Sequence, residues 1–255
     1  MNGWQALDEE IARWRDAGRA VELWWRDDDA VDTTAALDHL LGLRRDIGVP
    51  LALAVVPAKA TMALAARLAN EPGVDVLQHG YAHANHAPPT GKKSELGPHR
   101  PAMLALGELG TGWLALERLF GPQALPVLVP PWNRIAPGLV PALPEIGFAG
   151  LSTFGRRPRA EAVKGLRQVN AHLDLVDWKG RRDFIGAEAA LGVLAAALRD
   201  ARSVSNEPVG VLSHHLAMDE AGWDFLRSLL EKISTMSGAH LRAAARIFAS
   251  REARP

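Results

Sequence analysis

Short apolar runs recur along the whole chain, and segments with helical spacing separate them. The runs are "VELWW" (21–25), "LALAVVP" (51–57), "VDVLQ" (74–78), "LPVLVPPW" (125–132), "FAGLSTF" (148–154), "LRQVNAHLDLVDW" (166–178) and "PVGVLSHH" (208–215). "LALAVVP" shows no apolar–polar alternation, as expected of a strand buried on both faces of a parallel sheet. Helical spacing covers 4–17, 33–47, 60–70, 101–120, 187–202, 219–235 and 239–250, with a short helix expected over 137–146. Asp32 or Thr33 can cap the second of these helices. Strand–helix alternation of this kind specifies parallel strands joined by crossover helices. No linker or internal repeat divides the 255 residues. The expectation is one α/β domain whose seven or so strands form a barrel-like sheet, with the site at their C-terminal ends.

Composition removes several function classes. Lys plus Arg equals Asp plus Glu, at 29 each, so the basic excess of a nucleic-acid binder is missing. No cysteine is present, which excludes disulfides and thiolate metal sites; any metal must take His and carboxylate ligands. No apolar run reaches the roughly 18–20 residues of a membrane span. The N-terminal "MNGWQALDEEIARWRDAGRA" carries acids and lacks the apolar core of a signal peptide. The expectation is a soluble, cytoplasmic protein that binds neither nucleic acid nor membrane.

The residues just past each strand are chemically unusual. Asp27, Asp28 and Asp29 follow the first, and His79, His83 and His86 the third. Pro130, Pro131, Trp132, Asn133 and Arg134 follow the fourth; Asp177 and Trp178 lie near 175; Ser213, His214 and His215 end the last. Adjacent carboxylates repel unless a cation, a basic neighbour or water compensates. Each group also has an ordinary reading. The aspartates suit a solvated, helix-capping turn, the histidines can be simple hydrogen-bonding residues, and Pro-Pro-Trp can merely stop a strand. Their concentration at five strand ends on one rim favours a metal held by aspartate and histidines.

These residues resemble the five motifs of the polysaccharide deacetylases, carbohydrate esterase family 4. The motifs read here "DDDA" (27–30), "HGYAH" (79–83), "VPPWN" (129–133), "VDW" (176–178) and "LSH" (212–214), in the family's order and spread over about 21–215. The resemblance implies a distorted (β/α)7-type barrel filling 1–255 as a single domain, with one divalent metal ion. It implies Asp29, His79 and His83 as metal ligands, Asp28 as general base, His214 as general acid and Asp177 as the residue tuning His214. A register one residue earlier would make Asp27 the base and Asp28 the ligand. Trp132 is implied as oxyanion donor and pocket wall, with Pro131 and Arg134 beside the substrate. Val129 stands where the family has an arginine; Arg134 and Arg26 are the two candidates to supply that charge. His215 stands where the family often has Asp.

An Asp-His-His set leaves positions open for water and a carbonyl oxygen, and zinc suits it, though cobalt, nickel and manganese also bind such ligands. The implied activity is hydrolysis of an N-acetyl group on a carbohydrate. Two other readings stand beside it: hydrolysis of a small non-sugar amide, or an inactive barrel that binds carbohydrate through Trp24, Trp25, Trp132, Trp178 and Trp223. The polar loop 84–100, with His86, Lys92, Lys93 and Glu95, either shapes the substrate side or is a solvated connection.

Overall fold

The apolar runs pair with one another because helices cover their outer faces and a packed interior covers their inner ones. The computed structural model describes residues 2–249. The elements are α1 (Gly3–Asp16), β1 (Val21–Ala30), α2 (Ala35–Ile47), β2 (Leu51–Val55), α3 (Met62–Leu68), β3 (Val74–His79), α4 (Ala102–Phe120), β4 (Ala124–Val129), β5 (Gly150–Leu151), β6 (Glu161–Val163), β7 (Leu166–Gln168), β8 (Ala171–Asp174), α5 (Ala187–Asp200), β9 (Val209–Ser213), α6 (Glu220–Thr235), β10 (Ala239–Leu241) and α7 (Ala244–Phe248). The sheet order is β6-β7-β5-β4-β3-β2-β1-β9-β8, with β10 also beside β1. Every pairing is parallel except the β6–β7 hairpin.

Consecutive in the chain, β7 and β8 act as one interrupted strand. β7 pairs with β5, while β8 pairs with β9. A parallel bridge from Phe154 to Ala171 joins the continuation of β5 to β8. The chain therefore closes a distorted seven-stranded barrel. Asn170 fills the break, accepting from the Thr153 N–H at 2.9 Å and donating to the Gly155 carbonyl at 2.8 Å.

Alternation along the strands sorts side chains into two layers. Leu23 and Trp25 of β1, with Leu53 and Val55 of β2, face the helices. Trp24, Ala52, Ala54, Leu77, Val127 and Val129 face inward, where Phe248 of α7 meets Trp24 edge-on with centroids 5.7 Å apart. A third cluster, around Leu109, Leu128 and Phe148, seats α4. Among the described residues, no helix is long and apolar enough to cross a membrane.

The expected elements shift in three places. Thr34, not Asp32 or Thr33, caps α2, its hydroxyl accepting from the Leu37 N–H at 3.0 Å. Asp32 instead accepts from the Thr61 hydroxyl at 2.6 Å. Residues 137–146 form two 3₁₀ turns, because Pro141 and Pro144 remove donors that a helix needs. The segment expected as a final helix is β10 followed by the short α7; residue 250 lies outside the described residues.

Barrel closure leaves no room at Gly210 of β9. A Cβ there would lie 2.6 Å from Trp24 Nε1 and 2.7 Å from the Asn170 carbonyl oxygen. Gly210→Ala should therefore cost about 1–3 kcal/mol of stability through overpacking. Urea denaturation monitored by tryptophan fluorescence measures this loss; an unchanged midpoint would contradict so tight a closure.

Candidate active site

Strand β1 determines how the three aspartates are used. Along its pairing with β2, Asp27 lies opposite Leu53 and Ala30 opposite Val55, so three steps on β1 match two on β2. This is a bulge, and Asp29 adopts left-handed backbone angles, with φ 76°. Without the bulge, Asp28 and Asp29 would point to opposite faces of the sheet. With it, Asp28 lies inside the barrel and Asp29 reaches His79 of β3 and His83 in the segment after it. Asp27 keeps the outward direction of Trp25 and is fully buried. It accepts from the Ser213 hydroxyl at 2.6 Å and pairs with His215 Nδ1 at 2.5 Å. The earlier register, with Asp27 as base, is therefore corrected: Asp27 lies outside the site and ties β1 to the end of β9.

His79 and His83 converge on Asp29. Their Nε2 atoms lie 3.1 and 3.2 Å from Asp29 Oδ1, and one ligand atom from each residue falls within 4.8 Å of the others. His79 Nδ1 lies 3.0 Å from the Val129 carbonyl oxygen. In the neutral imidazole, donation there would leave Nε2 with its lone pair toward the cluster, the usual outer support of a metal-ligating histidine. Burial opposes charge on Asp29, but the hydrogen bond from His79 and the neighbouring imidazoles outweigh it and hold the carboxyl well below its ordinary range. Burial also works against charge on His79, yet Asp28 and Asp29 raise its pKa overall. His83 is lowered, first by burial and then by His79. Two imidazole nitrogens and an ionised carboxylate at this spacing fit a divalent cation.

The turn between the histidines has a support that the spacing alone did not reveal. Glu95, fully buried, accepts from the backbone N–H groups of Tyr81 and Ala82 at 3.1 and 2.8 Å. Gly80 has φ 58°, and a Cβ there would run into Glu95 and come within 2.6 Å of Pro131 Cδ. Part of loop 84–100 therefore shapes the site from beneath. His86 is exposed and meets Arg100 at 2.7 Å, away from the cluster.

Of the two candidate arginines for the charge missing at Val129, Arg26 is the one beside Asp28. Its Nη2 donates to Asp28 Oδ2 at 3.0 Å and to Asn133 Oδ1 at 2.7 Å, and Nη1 donates to Ser152 Oγ at 2.7 Å. Nε comes within 2.9 Å of Asp28 Oδ1, off the line of a hydrogen bond. Asp28 is thus neutralised by a buried guanidinium, while its Oδ1 accepts no hydrogen bond among the described residues. Arg134 points elsewhere, donating to the Lys93 carbonyl at 2.8 Å.

On the opposite rim, His214 Nδ1 faces Asp174 Oδ1 at 3.6 Å. The expected partner, Asp177, is corrected: its Oδ1 accepts from the backbone N–H groups of Lys179 and Gly180 and closes a turn. Asp174 is the last residue of β8, and burial raises its carboxyl above the ordinary value. Trp178 donates to Asp174 Oδ2 at 2.9 Å and sets its ring edge-on to His214. Trp132, in a left-handed turn at φ 54°, packs its ring on His83 with centroids 4.4 Å apart. Trp24 and Trp25 are buried and unavailable to a carbohydrate, while Trp223 stacks on His39.

A seven-stranded parallel barrel with this rim has the fold of the polysaccharide deacetylases and family 4 carbohydrate esterases. It superimposes on a Mycobacterium smegmatis protein assigned to the polysaccharide deacetylases, with TM-score 0.71, 16% identity, and coverage of 91% of this chain and 90% of the other. A peptidoglycan N-acetylglucosamine deacetylase, solved with a naphthyl N-hydroxybenzamide, gives TM-score 0.58 at 18% identity over 89% and 87%. A family 4 acetyl xylan esterase from Clostridium thermocellum, solved with a cobalt ion, gives 0.52 at 13% over 89% of each chain. No family model matches the sequence, and no curated relative matches it.

Removing one member of a buried ion pair leaves the other charge unpaired. Arg26→Leu should therefore lose about 3–5 kcal/mol, and Arg26→Leu with Asp28→Leu should recover most of it. Equilibrium denaturation of the two variants checks this; equal losses would show that Arg26 acts by packing rather than by pairing with Asp28.

Proposed function

We propose that the protein is a metal-dependent amidohydrolase that removes an N-acetyl group from a carbohydrate. The observation that carries this reading is the convergence of Asp29, His79 and His83 beside a carboxylate, Asp28, whose Oδ1 accepts no hydrogen bond among the described residues. The acetylated-sugar substrates named for proteins of the same fold support the choice of carbohydrate. Asp29, His79 and His83 would hold one divalent ion, for which zinc is well suited. When bound, such an ion lowers the pKa of a water molecule and polarises an acyl carbonyl.

The chain's own residues carry out the proton transfers. Asp28 Oδ1 takes the proton of the attacking water, and the hydrogen bond from Arg26 keeps Asp28 aimed. The backbone N–H of Trp132 receives the developing charge on the acyl oxygen. His214 donates a proton to the nitrogen as the C–N bond breaks, giving acetate and a free amine. Asp174 orients His214 through the contact at its Nδ1. Trp132 and Pro131 wall the acyl position, and Trp178 covers His214. A cytoplasmic setting fits a chain without cysteines. The carbohydrate-binding alternative has lost two of its five tryptophans to the core.

Elemental analysis should find one divalent ion per chain, lost in His79→Ala/His83→Ala. Asp28→Asn should keep the ion but lower acetate release from N-acetylated sugars by about 10²–10⁴-fold. No ion in the wild type after divalent metals are supplied would refute the reading.

The assignment of the acid's partner has its own test. Asp174→Asn should lower kcat and move the alkaline limb of its pH profile to lower pH, whereas Asp177→Ala should change neither. The reverse pattern would return the tuning role to Asp177.

A further inference from the structure

Beside the site lies a cavity of about 540 Å³, within the roughly 300–1,000 Å³ of small-molecule pockets. It opens at the ends of β5 and β7. Its wall is apolar on one side, from residues such as Leu151 and Val163, and carries Arg134 and Arg159. No carboxylate is among the described residues that line it. The three arginines of "GRRPRA" are not equivalent: Arg156 pairs with Asp200 at 3.4 Å and Arg157 lies 3.9 Å from Glu207. Arg159 has no ion pair among the described residues, and it also lines an adjoining cavity of about 200 Å³. The guanidinium of Arg134 is held in place by the Lys93 carbonyl. Guanidinium groups without a local carboxylate favour an anion, and phosphate and carboxylate match their fork geometry.

The cavity shares a wall with the catalytic rim. Asn133 and Thr153 line it, and both accept hydrogen bonds from Arg26, which holds Asp28. We propose that the cavity is a subsite for a carboxylate or phosphate group on the same molecule whose N-acetyl group meets Asp28. This inference rests on the reading of the protein as a sugar deacetylase and narrows its substrate to an acidic sugar derivative.

Calorimetric titration with glucosamine, glucosamine 6-phosphate and muramic acid tests the subsite without turnover, because none of the three carries an acyl group. At least one anionic sugar should bind about tenfold more tightly than glucosamine, as a charge-assisted pair predicts. That advantage should fall several-fold in Arg159→Gln and in Arg134→Gln. A gain with the phosphate alone or with muramic acid alone identifies the anion. Equal affinity for all three sugars, or an anionic advantage that survives both substitutions, overturns the proposal. Acetate release from N-acetylglucosamine, N-acetylglucosamine 6-phosphate and N-acetylmuramic acid is measured separately. Release without anion preference removes the subsite and keeps the hydrolase, whereas anion preference without release does the opposite.

Discussion

The buried pair between Arg26 and Asp28 is the constraint on which the rest of the rim depends. A carboxylate inside a barrel is costly unless a cation accompanies it. Arg26 provides that charge and then spends its remaining donors on Ser152, the Thr153 carbonyl and Asn133. These partners come from the segments after β4 and β5, so one guanidinium joins β1 to the far side of the opening. The left-handed turn carrying Trp132 and Asn133 is anchored to it, and the Trp132 ring in turn packs on His83.

Around this pair, three consecutive carboxylates have three different environments. Asp27 lies among Ser213, His215 and the helix-facing layer; Asp28 lies in the barrel with Arg26; Asp29 meets two imidazoles at the rim. The bulge separates them. It answers the electrostatic problem of "DDD" by sending each carboxylate to its own partner, which neither a regular strand nor a solvated turn would do.

Much of this was legible in the sequence. Strand–helix alternation identified the parallel barrel, and the concentration of titratable residues past the strands located the rim. What was not legible depends on backbone irregularity. Spacing cannot show that Asp29 sits in a bulge, so the register of the aspartates stayed open until β1 was seen against β2. "LDLVDW" offers two aspartates, and it is Asp174, at the end of β8, that faces His214. Alternation with Leu173 and Leu175 was the available signal. Arg26 stood among the candidates, but only its side-chain direction separates it from Arg134. Glu95 gave no local signal, since its role is to cap a turn thirteen and fourteen residues earlier. Trp24 and Trp25 looked like possible sugar-stacking surfaces, yet strand alternation sends one to each side of the sheet, and both are buried.

The pairing of Arg26 with Asp28 also bears on the order of assembly. The five-motif pattern has its arginine at the position of Val129, at the end of the fourth strand and about a hundred residues after the aspartate. Here the two lie two residues apart on one strand, on the same face, so their charges are already neighbours once β1 is extended. These two buried charges are matched locally, before the entropic cost of long-range closure has been met. The segment after β4 is thereby released from carrying the counter-charge, and Val129 can serve as an ordinary interior side chain whose carbonyl oxygen orients His79.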